Sequence, residues 1–238
     1  MGVFGDREAR AEARRPAATH PILAGLGPDG LARLRPFMRD ERHDRGAVLA
    51  DSRAPLRHVH FIVAGLVAVI ARDTAGVGAE AGLVGPGGLI GVSAVLGAHP
   101  PFPRIAVAVT PGESLTVEIK AMENALATAL ALRQSVMAYA GTRINQSARI
   151  CACAALHSVE QRLARWLLEA FDLAGPGALL VTHAQLSDLL GVRRASVTAG
   201  LQMLERDGAI ACGRGRVELR DVSRLAARSC GCQPHASA

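Results

Sequence analysis

The stretch His183-Ala-Gln-Leu-Ser-Asp-Leu-Leu-Gly191-Val-Arg-Arg194-Ala-Ser-Val-Thr-Ala-Gly-Leu-Gln202-Met-Leu-Glu-Arg-Asp-Gly-Ala-Ile210 reads as two helices around a tight turn. Thr182 stands where an N-cap is wanted, and Gln185 three residues on can close a capping box, so the spacing predicts a helix from His183. Gly191 ends it, because glycine enters the left-handed conformation at no side-chain cost. Leu186 and Leu190 face inward from the first helix, while Val197, Leu201 and Leu204 repeat at i, i+4, i+7 on the second. Ser187 is small where the helices must approach. A helical hairpin in an ordinary core shares this periodicity. The very short turn instead favours a helix-turn-helix, whose second helix enters the DNA major groove.

The residues just beyond strengthen that reading. Ala209-Ile-Ala-Cys-Gly213-Arg-Gly215-Arg-Val-Glu-Leu219 is two short extended runs around a Gly-Arg-Gly tip, the pattern of a β-hairpin. A hairpin directly behind a recognition helix is a wing, and it brings Arg214 and Arg216 to where phosphates would lie. A net charge of +6 suits a polyanionic partner, although almost all of the excess is arginine and Lys120 is the only lysine. Aromatic residues make up 3% of the chain, too few for binding single strands by base stacking.

Upstream, the period changes. Leu31, Leu34, Phe37 and Met38 suggest a short helix over 29–38. From Asp44 to Glu118, β-prone runs such as His58–Val63, Leu66–Ile70 and Ala106–Val109 alternate with glycines, as in an antiparallel barrel or roll. A longer helix is expected to about Ala155, on which Met137, Ala140, Ile144, Ser147, Cys151 and Ala154 fall at alternating steps of three and four. That heptad seam of small and apolar residues is a candidate dimer contact, the alternative being that it packs on the chain's own roll. Ser158 with Gln161 caps a further helix, so a hinge is expected near His157. Leu163, Trp166, Leu167 and Phe171 would pack beneath the helix-turn-helix.

Roll, long helix, hinge and winged helix-turn-helix, in that order, resemble the Crp/Fnr superfamily of bacterial transcription regulators. The residues that carry the resemblance are Glu160-Gln-Arg-Leu-Ala-Arg-Trp-Leu-Leu168, Leu190-Gly-Val-Arg-Arg-Ala-Ser-Val197, and Gly88-Leu-Ile-Gly91 ahead of Val95-Leu-Gly97. The implied fold is α+β: an N-terminal antiparallel β-roll of the cyclic-nucleotide-binding kind over 21–130, a dimerisation helix over 131–156, and a winged helix-turn-helix over 157–230. Residues 1–20 and 231–238 are expected tails. The resemblance implies a homodimer on double-stranded DNA, with RNA polymerase as a further partner and a signal sensed by the roll.

Departures from the family pattern bear on that signal. In members that bind cyclic nucleotides, a Gly-Glu step holds the ribose and an Arg-Ser/Thr-Ala step holds the phosphate. Here Gly91 is followed by Val92, and Arg104 by Ile105. Gly91 and Arg104 remain the effector-site candidates, but the missing carboxylate removes a charge-assisted hydrogen bond of about 1.5–3 kcal/mol. A roll serving as scaffold or taking another ligand is favoured over a cyclic-nucleotide-responsive one. The chain has no cysteine before Cys151, so the iron–sulfur mechanism of oxygen-sensing members is not expected. His58, His60 and His99 lie in the region where haem-binding members ligate iron, yet strand histidines are usually packing residues.

On the DNA side the resemblance makes Arg194 a reader of guanine and Arg193 and Ser196 backbone contacts, while Ala199 can meet only a thymine methyl and Gln202 can reach adenine. The odd count of five cysteines is unlike a disulfide framework. Cys151, on the seam, is a candidate cross-dimer redox site, with burial as a small hydrophobe the bland alternative. Cys230-Gly-Cys232 offers only two ligands, so no metal and no cofactor is expected. No Walker loop, dinucleotide fingerprint or His-Glu-x-x-His motif points to an enzyme. No apolar run spans a bilayer, and the arginine-rich start has no secretory segment, so the cytosol is the expected compartment. A module that has lost DNA binding is disfavoured by the retained arginines.

Overall fold

The glycine-punctuated half folds as two four-stranded antiparallel sheets. A computed structural model describes residues 20–98, 104–175 and 177–232. The expected tails therefore lie outside the described residues except for His20, Gly231 and Cys232, and so does His99. One sheet runs β1 (Met38–His43), β8 (Gly112–Glu118), β3 (His58–Ala64), β6 (Leu89–Ile90); the other runs β2 (Val48–Asp51), β7 (Arg104–Ala108), β4 (Val67–Arg72), β5 (Gly78–Val84). Ile62, Val67, Val84, Ile90 and Ala106 pack together between them. The β3–β4 turn requires Gly65, which has φ 88° and whose missing Cβ would sit 2.7 Å from the Pro111 carbonyl oxygen.

Helix α1 (Gly27–Leu34) stops short of the expected Met38. Pro36 has no N–H to continue the ladder, and a 3₁₀ turn over Arg35–Phe37 leads into β1 instead. A single turn, α2 (Val92–Val95), sits inside the roll region. Helices α3 (Ile119–Thr128) and α4 (Leu130–Leu156) follow, separated by an extended Ala129. Met122, Leu126, Leu132 and Val136 from these helices cover Val59, Phe61, Leu115 and Val117 of the first sheet.

The break in the helical pattern near His157 is a break in the fold. His157 is extended, and Ser158 and Gln161 form the capping box that starts α5 (Val159–Ala174). Beyond it lie β9 (Ala178–Leu179), α6 (His183–Leu190), α7 (Arg194–Arg206), β10 (Ile210–Gly213), β11 (Arg216–Leu219) and α8 (Val222–Arg228). The three strands pair in the order β10, β11, β9. The expected stripe of Leu163, Trp166 and Leu167 is fully buried, and Phe171 is 7% exposed. These residues join Leu186, Val197 and Leu201 of the helix-turn-helix and Leu66, Ala68 and Leu83 of the roll in one core. The two halves are thus fused through α5.

A polar network crosses the same junction. The buried Arg165 donates to Glu169 at 2.7 Å and, through its other terminal nitrogen, to Glu80 of β5 at 3.5 Å. Glu169 also accepts from Gln146 at 2.6 Å and Arg149 at 3.0 Å, both on α4. Burial pushes the Glu80 carboxyl up to about 7; Arg165 and Arg143 favour its ionised form and Glu169 opposes it. A carboxyl held above its ordinary 4.5 contributes stability that is complete below that pH and lost as pH rises through about 7. Thermal unfolding of the wild type is expected to show a midpoint that falls across this window, and Glu80→Gln to flatten that part of the profile. A Gln variant retaining the full wild-type slope would exclude Glu80 as its source.

Candidate nucleic-acid interface

Helix α6 begins because Thr182 Oγ1 accepts from the Gln185 N–H at 3.2 Å while the Gln185 side-chain oxygen accepts from the Thr182 N–H at 3.0 Å. It ends at Gly191, whose φ of 63° is left-handed. Ser187 does more than leave room: its hydroxyl donates to the Val192 carbonyl at 2.5 Å and so closes the turn. Apolar periodicity alone does not single out Gly200, buried in α7, where an added Cβ would lie 2.8 Å from Leu163 Cδ2. The absent side chain lets the second helix rest directly on α5. A glycine inside an otherwise regular apolar repeat is the signal that marks it.

This scaffold leaves one face of α7 open. Arg193, Arg194, Ala199 and Gln202 are exposed and Ser196 is half-buried, all on or just before the helix. Among the described residues no carboxylate pairs with Arg193 or Arg194. Arg193 also lines a cleft of about 750 Å³ between the helix-turn-helix and the β4–β5 hairpin, together with Arg72 and Gly76. At the wing, Ile210 to Gly213 pair with Leu219 to Arg216, which puts Arg214 and Gly215 at the tip. Arg214 and Arg216 are both exposed, but Arg216 is held by Glu218 at 2.5 Å, and Glu218 also binds Arg220 at 2.9 Å. Of the two wing arginines, Arg214 is the one that meets no carboxylate among the described residues and keeps its charge for a polyanion.

In the roll, Gly91 takes φ 93° and its missing Cβ would meet Leu56 and Val59 at 2.8 and 3.0 Å. Val92 opens α2 and packs on the apolar cluster of Val59, Leu89 and Val95. Ile105 is buried, so both departures from the nucleotide-binding pattern are filled with hydrocarbon. Arg104 is half-buried, and its N–H donates to Ser52 Oγ at 2.7 Å. Arg143, on α4, reaches back to donate to the Leu83 carbonyl at 2.6 Å. Burial lowers its pKa, and the charge of Arg104 lowers it further. His60 is buried beside Ser114, 3.4 Å away, as a packing residue.

Along α4, Met137 and Ile144 are 58% and 69% exposed, and Cys151 and Ala154 are exposed too. Ala140 is half-buried, and Ser147, although exposed, donates to the Ala81 carbonyl of β5 at 3.0 Å. The seam therefore faces solvent along most of its length and touches the roll at Ser147. One expectation needs correcting. The cysteine count allowed Cys230 and Cys232 to supply two metal ligands at most, whereas the fold brings Cys153 and His157 of the α4 end to the same place. No helix is long and apolar enough to cross a membrane among the described residues.

The cyclic nucleotide-binding domain profile matches residues 40–129, and that of the Crp-like helix-turn-helix domain matches residues 161–228. No protein of curated function matches the chain in sequence. In structure it is similar to a crp/fnr-family protein of Eubacterium rectale ATCC 33656, at 15% identity and TM-score 0.70, covering 87% of this chain and 96% of that one. It is also similar to FixK2 of Bradyrhizobium japonicum, at 18% identity and TM-score 0.66, covering 84% and 99%. TTHA1359, a CRP/FNR-family transcriptional regulator of Thermus thermophilus, gives 24% identity and TM-score 0.64, covering 80% and 98%. These likenesses carry the fold, and the two domain profiles carry the kinship. With a cyclic nucleotide-binding domain followed by a Crp-like helix-turn-helix domain on this fold, the chain belongs to the Crp/Fnr superfamily of transcription regulators.

Proposed function

We propose that the protein acts as a homodimer reading a two-fold DNA site, with Arg194 as its main direct base reader and Arg214 as a phosphate contact. The observation that carries this is the exposed guanidinium of Arg194, which meets no carboxylate among the described residues and stands at the N-terminal end of α7, the end of a recognition helix that meets base edges. Arg193 and Ser196 flank it as backbone contacts, Ala199 offers only a methyl, and Gln202 lies two turns along. Arg216 is a weaker phosphate contact because Glu218 already neutralises it. With one arginine between alanines, sequence preference draws on DNA shape as well as on direct readout.

The exposed stripe of Met137, Ile144 and Cys151, spaced by seven along α4, is the proposed dimer seam, with Ala140, Ser147 and Ala154 as its small partners. To read two half-sites one turn of the duplex apart, the dimer has to set the two copies of α7 about 34 Å apart. The roll is read as a sensor or scaffold whose nucleotide contacts are incomplete. Gly91 and Arg104 stand in place, but Val92 and Ile105 turn the remaining positions into packing. Cys151 is exposed on the single chain, so in the proposed dimer its thiol lies at the seam, facing its symmetry mate.

Arg194→Ala is expected to relax specificity at one base pair per half-site, costing about 1–3 kcal/mol on the preferred operator. Competition binding with single-base operator variants reads this, and an equal loss on every sequence would refute base reading. Arg214→Ala should weaken binding to all sequences and make the salt dependence shallower by about one unit of slope. An unchanged slope removes the wing tip from the contacts. The double variant Met137→Arg, Ile144→Arg puts like charges across the seam and should sediment as a monomer. A dimer of unaltered affinity would place the interface elsewhere.

A further inference from the structure

Four potential metal ligands that are far apart in sequence meet at the hinge. Cys153 lies in the last turn of α4, and His157, four residues on, is its C-cap, so the two share one side of the helix end. Past α8 the chain turns back through Ser229, whose hydroxyl accepts from the Gly231 N–H at 3.1 Å. Gly231 has a left-handed φ of 68°. This brings Cys230 and Cys232 against the helix end. The three sulfurs and a ring nitrogen of His157 all lie within 4.8 Å of one another.

The spacing fits one ion. Tetrahedral zinc with Zn–S bonds of about 2.3 Å and Zn–N of about 2.0 Å needs sulfurs about 3.8 Å apart and a sulfur–nitrogen edge of about 3.5 Å. Cys153 Sγ and Cys230 Sγ are 3.8 Å apart, and Cys232 Sγ is 3.9 Å from His157 Nδ1. A disulfide would need about 2.0 Å between sulfurs. An iron–sulfur cluster spreads its thiolates over several irons and requires a wider cage. Three thiolates and a neutral imidazole around a divalent cation leave one net negative charge. Arg162 and Arg165 line the same small cavity as Cys153 and offset it. Three sulfurs and one nitrogen are a soft donor set, suited to zinc and unsuited to magnesium or calcium.

We propose that Cys153, His157, Cys230 and Cys232 form a mononuclear Cys₃His zinc site that clasps the end of the long helix to the end of the DNA-binding domain. Four protein ligands close the coordination sphere, so the site is structural and leaves no position for a substrate. Its place gives it a consequence. The chain crosses from α4 to α5 at His157, and the clasp ties the α4 side of that crossing to the segment after α8, at the far end of the DNA-binding domain. Zinc therefore limits rotation of the helix-turn-helix about the hinge. Binding also releases the thiol protons of the three cysteines to solvent, so it strengthens as pH rises.

The test uses the full chain with Zn²⁺ and Co²⁺ as the probes. One zinc per chain is expected by elemental analysis, and Co²⁺ should give tetrahedral d–d bands with thiolate charge transfer. Cys230→Ala and Cys232→Ala lie in the segment after α8, where folding of the core is least at stake; each should lose stoichiometric zinc and those bands with an unchanged far-ultraviolet spectrum. Cys151→Ser and Cys212→Ser should keep both. Chelation should lower the unfolding midpoint of the wild type and leave that of Cys232→Ala unmoved. Sub-stoichiometric zinc, cobalt spectra indifferent to the Cys230 and Cys232 variants, iron with acid-labile sulfide, or a Cys153–Cys230 disulfide in protein purified without oxygen would each overturn the assignment.

Discussion

Everything in this fold depends on α5 being covered from two directions at once. Leu163, Trp166 and Leu167 lose all contact with water, and the atoms that exclude it come from the helix-turn-helix and from the roll. Each such side chain is worth about 1.5–3 kcal/mol of burial, more than any surface contact between the halves supplies. The DNA-binding unit therefore does not hang from a linker. Its support helix is a shared core element, and Gly200 lets α7 sit against it without an intervening side chain.

A shared core would be insensitive to solution conditions were it purely apolar. Here it carries Arg165 and Glu169, four residues apart on α5, with Glu80 facing them from β5 and Gln146 and Arg149 from α4. Buried charges repay their desolvation only when every partner is present. The network thus ties the roll, the long helix and the DNA-binding domain to one relative position. Cys153 lies in the same cavity as Glu80 and Arg165, so the proposed zinc clasp would act on the same joint as the ion pairs.

The consequence for regulation comes from where these fasteners lie. Under the proposed function, an event in the roll would have to reach α7 through this junction. In this chain the positions after Gly91 and Arg104 are filled by Val92 and Ile105, while polar groups have accumulated at the junction. The titratable and thiol-bearing groups thus gather at the hinge and not beside Gly91.

Local rules were enough for much of this. Both capping boxes, the left-handed Gly191, the wing, the break at His157 and the apolar stripes were legible, because each depends on residues within a turn or two of one another. Strands β3, β4 and β7 were visible as apolar runs. The edge strand β1, Met-Arg-Asp-Glu-Arg-His, was not, since only one of its sides is paired and its burial is slight. The family profiles and the fold agree with the order of roll, long helix and helix-turn-helix. Only the tertiary structure could add Cys153 and His157 to Cys230 and Cys232, or Glu80 to Arg165; Cys153 and Cys230 lie 77 residues apart along the chain, and Glu80 and Arg165 lie 85 apart. Periodicity and caps report what a segment does with its neighbours; a ligand set or a buried ion pair is made by closing a long loop. The sequence by itself determined the capped helices, the apolar strands and the family, and the packing of the hinge decided which of its charges and thiols meet.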